Sequence, residues 1–151
     1  MGTRSLTRVI PRQKGLNYAD GHKYPEKAVV NMYRQYDGYP DGHGIDLAEF
    51  LKDIKIVSGI QYPSNGVIAN GSGCLAAQMV KHFKDEVGYI YLNQCSGSSG
   101  DCWEDYIYTL YPKKNEPTYI AIYEVYEQKC IFVGTPKQLL KKYKTNTNKK
   151  G

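Results

Sequence analysis

Glu104-Asp105-Tyr106-Ile107-Tyr108-Thr109-Leu110-Tyr111 is followed by Thr118-Tyr119-Ile120-Ala121-Ile122-Tyr123-Glu124-Val125-Tyr126, Glu127-Gln128 and Lys129-Cys130-Ile131-Phe132-Val133. These runs are rich in β-branched and aromatic residues, and their short breaks suit hairpins. The spacing predicts a strand over Glu104–Tyr111 and a hairpin of Thr118–Tyr126 with Lys129–Val133, turning at Glu127-Gln128. Upstream, Tyr89–Asn93 is a further strand, reached across Gln94-Cys95-Ser96-Gly97-Ser98-Ser99-Gly100-Asp101. At the start of the chain, Thr3–Ile10 and Ala28–Gln35 alternate as two more strands, antiparallel to each other, joined by the polar, turn-rich stretch Pro11–Pro25.

Helical spacing appears in three places. Leu47, Leu51 and Ile54 follow the i, i+4, i+7 rule in Ile45–Ile54, and Leu75, Ala76, Met79, Val80 and Phe83 form an apolar stripe over Gly73–Val87. Thr135-Pro136 reads as an N-cap with proline at the first helical position, opening a helix with Leu139, Leu140 and Tyr143 on one side. Strands grouped in hairpins with helices set apart predict an α+β fold. We expect a mostly antiparallel sheet of about five to six strands with two to three helices packed on it.

The chain has 151 residues, enough for one domain that buries roughly 70% of the surface its unfolded form exposes. We expect a single globular domain over 1–144 and a disordered basic tail over 145–151. The net charge of +5 sits partly in that tail, which argues against a broad face for a nucleic acid polymer. No apolar run approaches the ~18 residues of a membrane span, and no secretory leader is visible at Met1–Arg8, so the expected location is the cytoplasm. In that setting Cys74, Cys95, Cys102 and Cys130 read as reduced thiols, although Cys95 and Cys102 flank the Gly/Ser loop and are placed to meet across a hairpin.

Between the second strand and the first helix lies Met32-Tyr33-Arg34-Gln35-Tyr36-Asp37-Gly38-Tyr39-Pro40-Asp41-Gly42-His43-Gly44. Loops held between rigid elements commonly carry sites. Alternation puts Arg34 on the side of Val30 and Met32, where a charge needs a partner. Arg34 can fork onto a carboxylate or phosphate. Tyr36 and Tyr39 can stack on a base, Asp37 and Asp41 can take a ribose hydroxyl or act as bases, and His43 can contact a phosphate or move protons. The competing reading is a rigid turn in which Arg34 pairs with Asp37. A second Gly-rich stretch, Asn65-Gly66 and then Asn70-Gly71-Ser72-Gly73, opens the second helix. It offers Asn70 and Ser72 either to an anion or to ordinary capping, and it lacks the lysine of a P-loop. Arg4, in Thr3-Arg4-Ser5, approaches the Arg34 end if the first two strands pair.

The histidines His22, His43 and His82 have no metal-binding spacing, so we expect neither a metal nor a cofactor. The candidate ligand-binding residues are Arg4, Arg34, Tyr36, Asp37, Tyr39, His43, Asn70 and Ser72.

Gly2-Thr3-Arg4-Ser5-Leu6-Thr7, the Met32–Gly44 motif, Gly73-Cys74-Leu75-Ala76-Ala77-Gln78 and Ile131-Phe132-Val133-Gly134-Thr135-Pro136 together resemble a family of small uncharacterised phage and bacterial proteins. The resemblance implies a phage or mobile-element origin. Small phage proteins often counter host defence, some by sequestering nucleotide immune signals. The leading expectation is a binding protein for a small phosphorylated ligand, such as a cyclic oligonucleotide or an ADP-ribose derivative, working as a homo-oligomer in the host cytoplasm. The alternatives are a protein–protein inhibitor of a host factor and a small hydrolase or phosphodiesterase using His43 with Asp37 or Asp41.

Overall fold

The computed structural model describes residues 2–59, 68–92 and 102–150, with side chains through residue 144. Asn65-Gly66, Cys95 and the Gly/Ser loop 94–101 lie outside the described residues. The fold is α+β. Six strands form one sheet in the order β5-β2-β1-β6-β7-β8. They are β1 (Ser5–Val9), β2 (Val30–Arg34), β5 (Ile90–Leu92), β6 (Tyr106–Lys113), β7 (Glu116–Glu124) and β8 (Lys129–Gly134). Every pairing is antiparallel except the central one, where β1 runs parallel to β6 with Ser5 opposite Tyr106 and Val9 opposite Leu110. Pro112 lacks an N–H for the ladder, and the β6–β7 register shifts around it, between Tyr111 and Lys113. The strand expected to stop at Tyr111 thereby continues past the proline.

Alternation divides the sheet into two faces. Val9, Met32, Tyr108, Leu110, Ile120 and Ile122 face the main core, against Leu47, Leu51, Leu75, Met79 and Leu139. Those residues come from α1 (Ile45–Leu51), α2 (Gly71–Phe83) and α3 (Pro136–Lys150). The expected stripe on α2 is the one buried, with Leu75 and Met79 fully enclosed. The opposite face carries two smaller clusters. One is Leu6, Tyr33 and Ile107; the other is Ile10, Tyr111 and Ala121, covered by Leu16 and Tyr18 from the β1–β2 connection. That connection is not a plain loop: it contains 3-10 helices at Tyr18–Lys23 and Pro25–Lys27.

Three further features depart from expectation. A small parallel pair, β3 (Lys55–Val57) with β4 (Ile68–Asn70), sits between α1 and α2; each strand is three residues long, too short for alternation to declare itself. The backbone of residues 145–150, from the segment expected as a disordered tail, continues α3. Cys102 is disulfide-bonded, while Cys74 and Cys130 are free, so the reading of four reduced cysteines is corrected. No helix among the described residues is long and apolar enough to cross a membrane.

Candidate functional site

The Met32–Gly44 segment leaves β2 at Arg34 and enters α1 through a π-helical turn over Pro40–Gly44. Its path is set by backbone ties. The Gly38 N–H donates to the Thr3 carbonyl at 2.9 Å, the His43 N–H to the Asp37 carbonyl at 2.9 Å, and the buried Tyr108 hydroxyl to the Gly38 carbonyl at 2.6 Å. Asp37 turns the chain in the left-handed region at φ 59°, which aspartate tolerates better than most residues. Gly38 is required by close approach: a Cβ there would stand 2.8 Å from the Ser5 Cβ and 3.0 Å from the Arg4 backbone. At Gly42 a Cβ would meet the Asp37 carbonyl and the Tyr39 ring, both at 2.8 Å.

Behind this loop lies a buried polar chain. Arg34 donates from Nε to the Tyr36 carbonyl at 2.8 Å, and its Nη1 reaches His43 Nδ1 at 2.8 Å and Asp46 Oδ2 at 3.2 Å. Its ion-pair partner is therefore Asp46 rather than Asp37. Arginine can only donate, so His43 Nδ1 accepts. The proton then sits on Nε2, which donates to Thr7 Oγ1 at 2.8 Å. His43 is fully enclosed, edge-on to Tyr108 with ring centroids 4.9 Å apart. Burial, reinforced by the Arg34 charge, pushes its pKa well below the ordinary histidine value. Shut away with both nitrogens engaged, His43 is not placed to serve as a base for a ligand, and neither Arg34 nor His43 lines the cleft in front of them.

That cleft, about 620 Å³, is lined by Gly2, Thr3, Tyr36, Asp37, Tyr39, Glu86 and Tyr89. The Tyr36 and Tyr89 rings stack with centroids 5.9 Å apart, 19° from parallel. The Arg34 guanidinium lies 5.3 Å from the Tyr89 centroid, so Tyr89 couples the buried network to the open wall. The Tyr39 hydroxyl donates to Asp37 at 3.3 Å. A second hollow of about 300 Å³ shares Thr3 and Tyr39 and adds Asp105, Tyr106, Glu124 and Tyr126.

The structure thus brings Tyr36, Asp37 and Tyr39 together and sets the other candidates apart. Arg4 does reach the Arg34 end, since Ser5 pairs with Arg34. Arg4 itself is not among the residues lining the cleft, which its neighbours Gly2 and Thr3 line instead. Asn70 Oδ1 accepts from the Gly59 N–H at 2.8 Å, and neither Asn70 nor Ser72 lines the cleft. Tyr89 and Glu86 are not among the residues the sequence singles out; the signal for Tyr89 is a tyrosine next to Gly88 at the start of the expected strand Tyr89–Asn93. Also unforeseen is Arg8, wholly buried on the far face, where Nε donates to Asn31 Oδ1 at 3.0 Å and the burial of its charge is only partly offset by Glu104.

A separate cleft of about 380 Å³ at the start of α3 holds Lys52, Lys55 and Lys137. Its charges are partly answered within the protein: Asp53 and Glu116 share the lining, Lys52 pairs with Glu49, and Glu116 pairs with Arg12 and Lys113. Among the described residues no group of histidine, cysteine and acidic side chains is placed to hold a metal ion. No protein-family model, curated protein or solved structure matches the chain.

Proposed function

We propose that this protein binds and sequesters a small phosphorylated nucleotide. The observation that carries the reading is the tyrosine-walled cleft on a loop tied to the sheet at Gly38 and Asp37. Clefts with aromatic walls and a few fixed polar groups are suited to such ligands. Tyr36, Tyr39 and Tyr89 offer faces for a base, and Asp37 an acceptor for ribose hydroxyls. Among the described residues the lining contains no cysteine, serine or histidine, which favours binding without turnover over a hydrolase built on His43. The resemblance to phage proteins supports a host immune signal, a cyclic oligonucleotide or ADP-ribose derivative, as the ligand. The edge strands carry the half-exposed Tyr91 and Leu92 on β5 and Val133 on β8, which favours a homo-oligomer, to be checked by light scattering.

The test is a thermal-shift panel of nucleotides and cyclic dinucleotides. A true ligand at a hundredfold excess over its dissociation constant stabilises by ~2.7 kcal/mol, and Tyr36→Ala removes the shift. Ligand recovered unchanged from the heated complex supports sequestration; converted ligand would establish an enzyme. A second reading, inhibition of a host protein, is favoured by one observation: Trp103 and Tyr126 are 80% and 89% exposed, and Trp103 is held at φ 61°. Exposed tryptophan and tyrosine are common anchors of interfaces. A host partner retained by the wild type and lost on Trp103→Ala, with no response to any nucleotide, would favour it.

A further inference from the structure

The cleft is chemically one-sided. Among the described residues its only ionisable groups besides phenols are the carboxyls of Asp37 and Glu86. No described lysine or arginine lines it, in a chain with 20 basic and 15 acidic residues. The adjoining hollow adds Asp105 and Glu124 and, among the described residues, again no base. Neither Asp37 nor Glu86 has an ion-pair partner among the described residues. The Tyr39 phenol registers the resulting field, its pKa raised by Asp37 first and also by Asp41. Arg34 offsets it only in part, because its guanidinium is directed chiefly to His43, Asp46 and the Tyr36 carbonyl.

The walls are also held at some expense of backbone comfort. Asp37 and Tyr89 both sit in the left-handed region, at φ 59° and 69°. For a residue as bulky as tyrosine that is an outlier, maintained only where the surroundings over-determine it, and such residues gather at ligand sites. Aromatic faces are electron-rich and attract cations. A pocket of tyrosine faces and unpaired carboxylates repels a phosphate and suits a flat positive ring.

Resting on the nucleotide-binding reading above, we infer that the ligand enters ring first and that this ring is cationic, an N-alkylated purine or a pyridinium, with the phosphates turned outward to solvent. Two matched pairs of probes test this: nicotinamide mononucleotide against its reduced form, and N7-methylguanosine monophosphate against guanosine monophosphate. Within each pair the ribose and phosphate are the same and the ring charge differs. In titration calorimetry at least one cationic member binds about tenfold or more tightly than its neutral twin. Asp37→Asn combined with Glu86→Gln brings that ratio close to one while the melting temperature of the free protein holds. The nucleoside lacking the phosphate retains most of the affinity. Equal binding of the twins, abolition of binding on removing the phosphate, or binding only of neutral nucleotides outside these pairs overturns the inference and leaves the nucleotide-binding reading standing. Absence of binding by every nucleotide, these included, removes that reading and the inference with it.

Discussion

His43 owes its protonation state to two neighbours. Arg34 occupies Nδ1 as a donor and Thr7 takes the proton of Nε2, so an imidazolium has no room in the fold. Burial lowers the pKa of His43 strongly and that of His22 more mildly. The unfolded chain therefore takes up protons first as the pH drops. Stability is fully present above the ordinary histidine value of about 6.5 and is lost below it, by up to about 1.4 kcal/mol per pH unit through His43, while the partly exposed His22 adds little because solvent screens it. Urea midpoints should fall between about pH 7 and about pH 5, and His43→Gln should flatten most of that decline. Two neighbours of the loop separate useful from unused contacts. Ser5 Oγ is buried without a hydrogen-bond partner, so Ser5→Ala should be neutral or stabilise by up to about 1 kcal/mol. Gly38→Ala, forced against Ser5 and the Arg4 backbone, should destabilise by about 1–3 kcal/mol. Denaturant titration of the two variants would reveal a fault in the packing account if their order were reversed.

Elements whose boundaries are written in strong local chemistry were legible from sequence. The last helix is the clearest. Thr135 Oγ1 accepts from the Gln138 N–H at 3.2 Å, and Gln138 Oε1 accepts from the Thr135 N–H at 2.8 Å. This reciprocal box closes the helix start, and Thr135→Ala should cost about 1 kcal/mol in equilibrium unfolding. The strands β1, β2, β6, β7 and β8 and the stripe of α2 were legible for the same reason, because one periodicity dominates each. The π-helical turn over Pro40–Gly44 was not, since it arises from ties to Thr3 and Tyr108, which are distant in sequence. The site was half legible. Residue types marked the Tyr36–Tyr39 segment, but which of its side chains face outward depends on how the turn is coiled. Arg34 drew notice as a ligand anchor because it is charged; the fold uses that charge to hold the loop. Arg4 stands out in the sequence by its charge, whereas the cleft is lined by its uncharged neighbours Gly2 and Thr3.

At the scale of the whole molecule, the N-terminal strand lies at the centre of the sheet, between β2 and β6. Its odd-numbered residues supply Thr7 to the buried network and Val9 to the main core; its even-numbered ones supply Leu6 and Arg8 to the other face. Removal of residues 2–9 should therefore abolish cooperative unfolding altogether, seen as loss of a sigmoidal transition in circular dichroism. A residual sharp melt would mean that the helices and the β6–β8 meander form a core of their own.

The parallel pairing of β1 with β6 also has a consequence for how the chain is made. On a ribosome, β1 and β2 emerge early, while β6 follows about 100 residues later, a delay of roughly 5–20 s at ordinary synthesis rates. Through that interval one side of β1 is an open edge, the kind of strand that recruits other nascent chains. Arg8 lies on that edge. In the finished protein it is a wholly buried charge that needs Asn31 and the nearby Glu104. On the waiting hairpin it is a charged residue that discourages association with a stranger until β6 arrives.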